Sequence, residues 1–115
     1  MVTQQRMATQ MQECIENCEE CAGICLETLQ YCLEKGGRRA EPAHIRLLMN
    51  CAEICRMSAA FMHSGSPFHM QVCGVCSQVC EACARSCKQF GYDEQMRRCA
   101  AVCQRCAESC ERMAS

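Results

Sequence analysis

The sequence has no tryptophan, almost no net charge and no long apolar run. Its 12 basic and 13 acidic residues are interspersed and leave a formal net charge of −1, so nothing indicates a nucleic-acid partner. No stretch of about 18 apolar residues occurs, and we therefore expect no membrane-spanning helix. The polar start MVTQQRMATQ has neither a basic segment followed by an apolar one nor an arginine pair, which predicts a cytoplasmic protein without a leader.

Signatures of catalysis are also missing. The motifs HxxxH and HExxH and the glycine-rich loops that hold phosphate do not occur. A nucleophilic cysteine needs a lowered pKa, an adjacent base and access to its substrate. No cysteine in this chain differs from its repeats, and the three histidines fall near the ends of predicted helices. We therefore do not expect an enzyme.

What the sequence does have is sixteen cysteines, most of them in regular rows. The segments ECIENCEECAGIC, CSQVCEACARSC and CAAVCQRCAESC share the pattern C-x3-C-x2-C-x3-C. Spacings of four, three and four residues return side chains to one face of an α-helix. Cys32 and Cys73 extend two of the rows in phase, whereas the second predicted helix has only Cys51 and Cys55. The rows predict thiols on the inner face of a helical bundle.

The rest of the pattern predicts four helices and no strands, because no segment alternates with period two. Gly36 and Gly37 end the first helix, Gly91 closes the third, and Asp93 caps the fourth. Short connections between long helices favour antiparallel neighbours. We expect residues 1–115 to form one all-α domain, an antiparallel up-down-up-down four-helix bundle with a cysteine-lined interior. The predicted helices span residues 4–35, 43–64, 68–90 and 94–113.

Thiols in this number bind soft metal ions, form disulfides or fill space. Cysteines three or four residues apart on one helix cannot bridge without distorting it, and leucine or isoleucine would fill a core better. Zinc and iron–sulfur clusters need compact sets of four ligands, whereas a helical ladder supplies pairs with Cβ atoms roughly 5–6 Å apart. Cu(I) accepts two or three thiolates, so the ladder favours it. Zinc or cadmium sequestration and a thiol redox buffer remain the alternatives.

The cysteine rows contain no lysine or arginine, which bears on capacity. A Cu(I) ion held by two unshared thiolates leaves a negative charge in the core, and burying many such charges is prohibitive. If every thiolate bridges two ions, the net charge approaches zero at about one copper per cysteine. Pairwise filling gives about 8 ions and full bridging about 16, and we expect the higher figure.

The repeated motif, with methionine and histidine near one end, resembles the cytosolic branch of the bacterial copper storage proteins. This resemblance covers nearly the whole chain and implies a bundle that folds without metal, many Cu(I) ions in its interior, and a homo-oligomer, commonly a tetramer. The sparse second helix departs from a uniformly lined interior. By resemblance, the Cu(I) ligands are the cysteines Cys14, Cys18, Cys21, Cys25, Cys32, Cys51, Cys55, Cys73, Cys76, Cys80, Cys83, Cys87, Cys99, Cys103, Cys106 and Cys110.

The up-down topology brings thioethers and imidazoles together at one end of the bundle, where the first and third helices start and the second and fourth finish. The strongest candidates for copper uptake at this end are Met11, Met62, His63, His69 and Met113, and Met7 and Met70 lie nearby. Such groups would capture Cu(I) weakly and pass it to the thiolates. Methionine at helical spacing also serves as ordinary core filling.

The opposite end is predicted to be an apolar plug. It should contain Leu33, His44, Leu47, Leu48, Phe90 and Met96. Because His44 is a single histidine near a helix start, we expect it to be solvated or to cap the helix.

Overall fold

The computed structural model describes residues 2–114 of the chain. Within this range there are four α-helices and no strand, and a short 3₁₀-helix at Gly37–Ala40 connects the first two. The α-helices are α1 (Val2–Lys35), α2 (Pro42–His63), α3 (His69–Lys88) and α4 (Glu94–Ala114). The predicted all-α class is confirmed. None of the described helices combines the length and apolar character that a bilayer crossing requires.

The helices form a closed ring in which each one packs on two neighbours. α1 packs on α2, α2 on α3, α3 on α4 and α4 on α1. The backbones of the diagonal pairs of described helices stay apart, and these pairs meet through side chains at the axis, as Cys55 of α2 and Cys106 of α4 do at 3.8 Å. Cys14 early in α1 lies against Cys110 late in α4, and Cys55 late in α2 lies against Cys76 early in α3. Adjacent helices therefore run antiparallel, as predicted. The bundle is 52 Å long, which matches the 34 residues of α1 at about 1.5 Å per residue.

Turn chemistry ends the helices close to the predicted positions. Gly36, Gly37 and Gly65 adopt φ values of +69°, +62° and +67° in the connections that follow α1 and α2, where a side chain would be strained. Asp93 caps α4 as predicted, because its Oδ1 accepts the backbone N–H groups of Gln95 at 3.0 Å and Met96 at 3.4 Å.

Helix α3 is shorter than predicted. Its predicted span of 68–90 is observed as His69–Lys88. The backbone N–H of Phe90 bonds to the carbonyl of Cys87, three residues back, and the Phe90 side chain is buried. The tightened last turn therefore carries this ring into the end of the bundle, and its burial closes the helix. Gly91 does not have a positive φ, so the predicted glycine closure is wrong.

Cysteine takes the place of the usual large aliphatic side chains in the interior. All sixteen cysteines are fully buried, with 0% of their surface exposed. Leu48, Met96 and Thr28 are the largest fully buried side chains, while Ile15 and Ile24 are buried along the edge of the core. The predicted cysteine-lined interior is confirmed. Few large apolar side chains are buried beside the cysteines.

Candidate metal centre

The four helices direct their cysteines at the bundle axis, where the sulfurs form a continuous column. The rows on α1, α3 and α4 supply most of the thiols, and α2 adds two. All sixteen are free thiols. The distances between neighbouring Sγ atoms range from 3.4 Å, between Cys55 and Cys80, to 4.0 Å, between Cys99 and Cys103.

Ten of these thiols form three overlapping groups of four, which we call the quartets. The sulfurs of each quartet all lie within 4.8 Å of one another, and each quartet draws on three or four helices. Neighbouring quartets share Cys106 or Cys21, so the ligand set is continuous. The quartets are Cys18–Cys76–Cys106–Cys110, Cys21–Cys55–Cys80–Cys106 and Cys21–Cys25–Cys51–Cys103. The remaining thiols extend the column at its two ends: Cys14 and Cys73 at one, and Cys32, Cys83, Cys87 and Cys99 at the other.

The quartets revise the expectation that the helices supply cysteine pairs alone. Cys76 and Cys80, four residues apart on α3, do lie 3.8 Å apart. Cys55 on α2, however, lies 3.4 Å from Cys80 and 3.8 Å from Cys106 on α4. Metal–sulfur bonds of roughly 2.3 Å place two ligand sulfurs about 3.8–4.0 Å apart in tetrahedral or trigonal coordination. Sulfur spacing therefore suits both zinc and Cu(I), and the choice between them depends on charge.

No counter-charge accompanies the buried thiols in the described part of the chain. Its buried polar and charged residues include no lysine or arginine; they are Thr28, His44, Ser58, Ser77, Ser86, Asp93 and Ser109. Burial raises the pKa of the Cys32 thiol to about 11. Hydrogen bonds to Cys83 and Cys99, together with burial, raise the pKa of Cys87. Because such thiols are protonated at neutral pH, a metal ion must displace their protons, and its binding weakens as the pH falls.

A cavity of about 370 Å³ opens at the end where methionine and histidine were predicted to gather. Its lining residues are Met7, Gln10, Met11, His69, Met70, Arg112 and Met113. The structure thus brings together Met11, His69 and Met113 from three helices. Sequence reasoning missed Gln10 and Arg112, because neither residue type signals soft-metal chemistry.

Two of the predicted uptake residues lie away from this cavity. Met62 is almost fully buried, with 3% exposed, and it does not line the cavity. His63 lies on the outer surface, where its Nε2 is 3.4 Å from Oε2 of Glu19. Successive side chains on a helix point about 100° apart, so the turn that buries Met62 directs His63 toward solvent.

At the opposite end of the bundle, the surroundings of His44 differ from those predicted. This residue is buried, with 5% exposed. Its Nδ1 lies 2.7 Å from Oγ of Ser86, its Nε2 lies 3.6 Å from Sγ of Cys32, and its ring lies 5.3 Å from that of Phe90. The expectation of a solvated or capping histidine is wrong, because partners on α1 and α3 satisfy both ring nitrogens. Of the predicted plug, Leu48, Phe90 and Met96 are buried, Leu47 is partly buried, and Leu33 is 58% exposed.

Known structures share this arrangement of helices. The chain superimposes on the Nmul_A1745 protein of Nitrosospira multiformis with a TM-score of 0.88 and 47% identity, covering 93% of this chain and 96% of that one. The Cu(I)-bound copper storage protein BsCsp3, from Bacillus subtilis, gives a TM-score of 0.86 and 34% identity over 92% of this chain and 99% of that one.

A third similar structure is a cytosolic copper storage protein from Streptomyces lividans with five coppers, at a TM-score of 0.80 and 30% identity over 92% of each chain. The family model described as copper storage protein matches residues 7–115, which is nearly the whole sequence. With its buried column of thiols, the chain therefore belongs to the copper storage protein family.

Proposed function

We propose that this protein stores Cu(I) at high capacity, with about one ion for each of its sixteen cysteines. The observation that carries the proposal is the continuous set of buried thiols, in which neighbouring quartets share Cys21 or Cys106. Shared ligands are what a multinuclear Cu(I)–thiolate assembly needs, because each bridging sulfur serves two ions. The relatives support this role, since one of the similar structures has Cu(I) bound and another contains five coppers.

Charge favours Cu(I) over zinc in this core. A divalent zinc ion in a site of four unshared thiolates leaves about two negative charges behind, and no lysine or arginine is buried in the described part of the chain. Sixteen thiolates with an equal number of Cu(I) ions are neutral. About eight zinc ions would also neutralise the thiolates, but only if every thiolate were shared between two four-coordinate ions. Six of the sixteen thiols lie outside the quartets, and Cu(I), which accepts two or three thiolates, can reach neutrality along the whole column.

Storage suits the geometry better than catalysis. Every thiol is fully buried, so none meets the requirement that a nucleophilic cysteine be accessible. We propose that storage takes place in the cytoplasm, as the Streptomyces lividans relative is a cytosolic protein. Assembly into homotetramers, which the resemblance implies, stays a prediction.

Anaerobic titration with Cu(I) tests the proposed function. We expect saturation at about sixteen ions per chain and the release of about one proton for each ion bound. The reason is that burying this many thiolates without a cation is prohibitive, so the metal-free core must hold its thiols protonated. The measurement combines the absorbance of the copper–thiolate bonds with the pH change in a weakly buffered solution. A parallel titration with an equal concentration of Zn(II) present measures selectivity.

Three results would contradict the proposed function. Saturation at two or four copper ions would show separate sites instead of a shared column. Retention of zinc in preference to Cu(I) would support the zinc or cadmium alternative. Reversible loss of thiols on mild oxidation, with no retention of metal, would support the redox buffer.

We further propose that copper enters through the cavity lined by Met11, His69 and Met113. The triple variant Met11→Leu, His69→Gln, Met113→Leu is expected to fill about tenfold more slowly, equivalent to about 1.4 kcal/mol of lost capture free energy, at unchanged final capacity. Leucine keeps the volume of methionine and removes the sulfur. Stopped-flow absorbance after mixing with a Cu(I) donor measures the rate.

A matched control for uptake carries the same three changes on the outer surface. The variant Met49→Leu, Met57→Leu, His63→Gln alters side chains that are 50%, 48% and 55% exposed. It should fill at the rate of the unaltered protein. Equal rates for both triple variants would place the point of uptake elsewhere.

A further inference from the structure

Cys32 differs in its surroundings from the rest of the thiol column. Its sulfur lies 3.6 Å from Nε2 of His44 and 3.7 Å from Sδ of Met96. Cys83 and Cys99 act on its thiol through Coulombic interaction alone. The neighbours of Cys32 are therefore an imidazole and a thioether, where the quartets have other thiols.

His44 is held so that one ring nitrogen faces this sulfur. Its Nδ1 lies 2.7 Å from Oγ of Ser86, and Phe90 packs on its ring. When Nδ1–H donates to the Ser86 hydroxyl, Nε2 retains a lone pair directed toward Cys32. A hydrogen bond from the other ring nitrogen is the usual way to fix the tautomer of a metal-binding histidine. Burial lowers the pKa of His44, which keeps the ring neutral.

We propose that Cys32, His44 and Met96 form a distinct Cu(I) site at the end of the bundle opposite the methionine-lined cavity, with Ser86 positioning the imidazole. The inference rests on the proposed function and adds a mononuclear site to the shared thiolate column. Metal–sulfur bonds of about 2.3 Å and a metal–nitrogen bond of about 2.0 Å separate the sulfur and nitrogen of a trigonal site by about 3.7 Å. The observed 3.6 Å between Cys32 Sγ and His44 Nε2 fits this geometry without rearrangement.

Charge also distinguishes this site from the rest of the column. One thiolate, one neutral imidazole and one thioether bind one Cu(I) with no net charge, so the site needs no bridging partner. Thiolate, imidazole and thioether are all ligands that copper accepts. Copper at this site should therefore be held independently of the shared column.

Nitrogen NMR of a single histidine tests the site directly. His44, His63 and His69 are the three histidines of the sequence, so the variant His63→Gln/His69→Gln leaves His44 as the sole imidazole. With ¹⁵N-labelled histidine and full anaerobic loading, we expect the His44 Nε2 resonance to move from the position of a free lone pair to that of a metal-bound nitrogen. Nδ1 should stay protonated throughout.

Substitution of Cys32 separates this site from the thiolate column. Adding Cys32→Ser to the labelled variant should abolish the change at Nε2, whereas adding Cys14→Ser, a fully buried thiol at the opposite end, should preserve it. Met96→Leu keeps the side-chain volume and should leave the change in place, while copper at His44 is lost to a competing chelator at about tenfold lower chelator concentration.

This experiment distinguishes failure of the proposed site from failure of the proposed storage function. If the doubly substituted parent takes up about sixteen ions and Nε2 does not change, the site is overturned and storage stands. A change at Nε2 that persists in Cys32→Ser also overturns the site. Failure of the unaltered protein to take up more than a few ions counts against the storage function itself.

Discussion

Saturation with Cu(I) is expected to raise the midpoint of thermal unfolding by more than about 20 °C. Binding to the folded state alone stabilises it by about 4 kcal/mol for each site filled at a thousand times its dissociation constant. A few such sites already match the whole stability of a typical small domain, about 5–15 kcal/mol. Each kcal/mol moves the midpoint of a domain of this size by roughly 4 °C. Circular dichroism at 222 nm during anaerobic heating measures the shift.

The structure explains why Cu(I) binding should raise the thermal stability of the metal-free protein so strongly. Its interior is filled by small thiols, and few large apolar side chains are fully buried. In the central quartet, Cys21, Cys55, Cys80 and Cys106 come from all four helices. Metal bound there joins elements that the metal-free core holds by modest apolar contact. Copper–thiolate bonds at this quartet would therefore act as cross-links between helices.

The control for this prediction is the same heating experiment with copper withheld by an excess of a strong Cu(I) chelator. That sample should unfold at the midpoint of the metal-free protein. A rise of less than about 5 °C at saturation would correspond to only about 1 kcal/mol of linkage. Such a result would mean that copper binds at the surface, or that it binds folded and unfolded chains equally.

Helical periodicity made the fold predictable from the sequence. Cysteine spacings of four, three and four residues assign one face of each row to the axis without any knowledge of tertiary structure. Gly36 and Gly37 mark the end of α1, and the carboxylate of Asp93 marks the start of α4. These signals act within a few residues, so a sequence shows them directly. The cavity containing Met11 and His69 could be anticipated for a different reason, because the up-down order of the helices brings the start of α1 and the start of α3 to the same end of the bundle.

The sequence could not predict which side chains of different helices come into contact. Which thiols form quartets depends on how far one helix slides past another, and no local pattern records that offset. The burial of His44 depends on Ser86, 42 residues further along the chain, and on the sulfur of Cys32. Helical steps from the two cysteines of α2 reach Met62, but only the packing of α2 shows that Met62 is buried away from the cavity. Tertiary packing decided each of these cases.

The sequence shows only two cysteines on α2, whereas the structure places both of them in quartets. We therefore expect their loss to lower the Cu(I) capacity by more than two ions. Cys55 contacts Cys76, Cys80 and Cys106 at 3.4–3.8 Å, and it belongs to one quartet while Cys51 belongs to another. A bridging thiolate serves two ions, so the variant Cys51→Ser/Cys55→Ser should lose about four ions instead of two. Capacity measured anaerobically in competition with a Cu(I) chelator gives the number.

The matched control for the α2 variant is Cys14→Ser/Cys73→Ser. All four thiols are fully buried, so both variants replace the same atoms at the same depth. Cys14 and Cys73 lie outside the quartets at one end of the column, where a thiolate has ions on one side only and serves about one of them, so their loss should remove about two ions. Equal losses from the two variants, with helical content unchanged in both, would show that every thiol contributes alike. The sharing of Cys21 and Cys106 between quartets would then have no bearing on capacity.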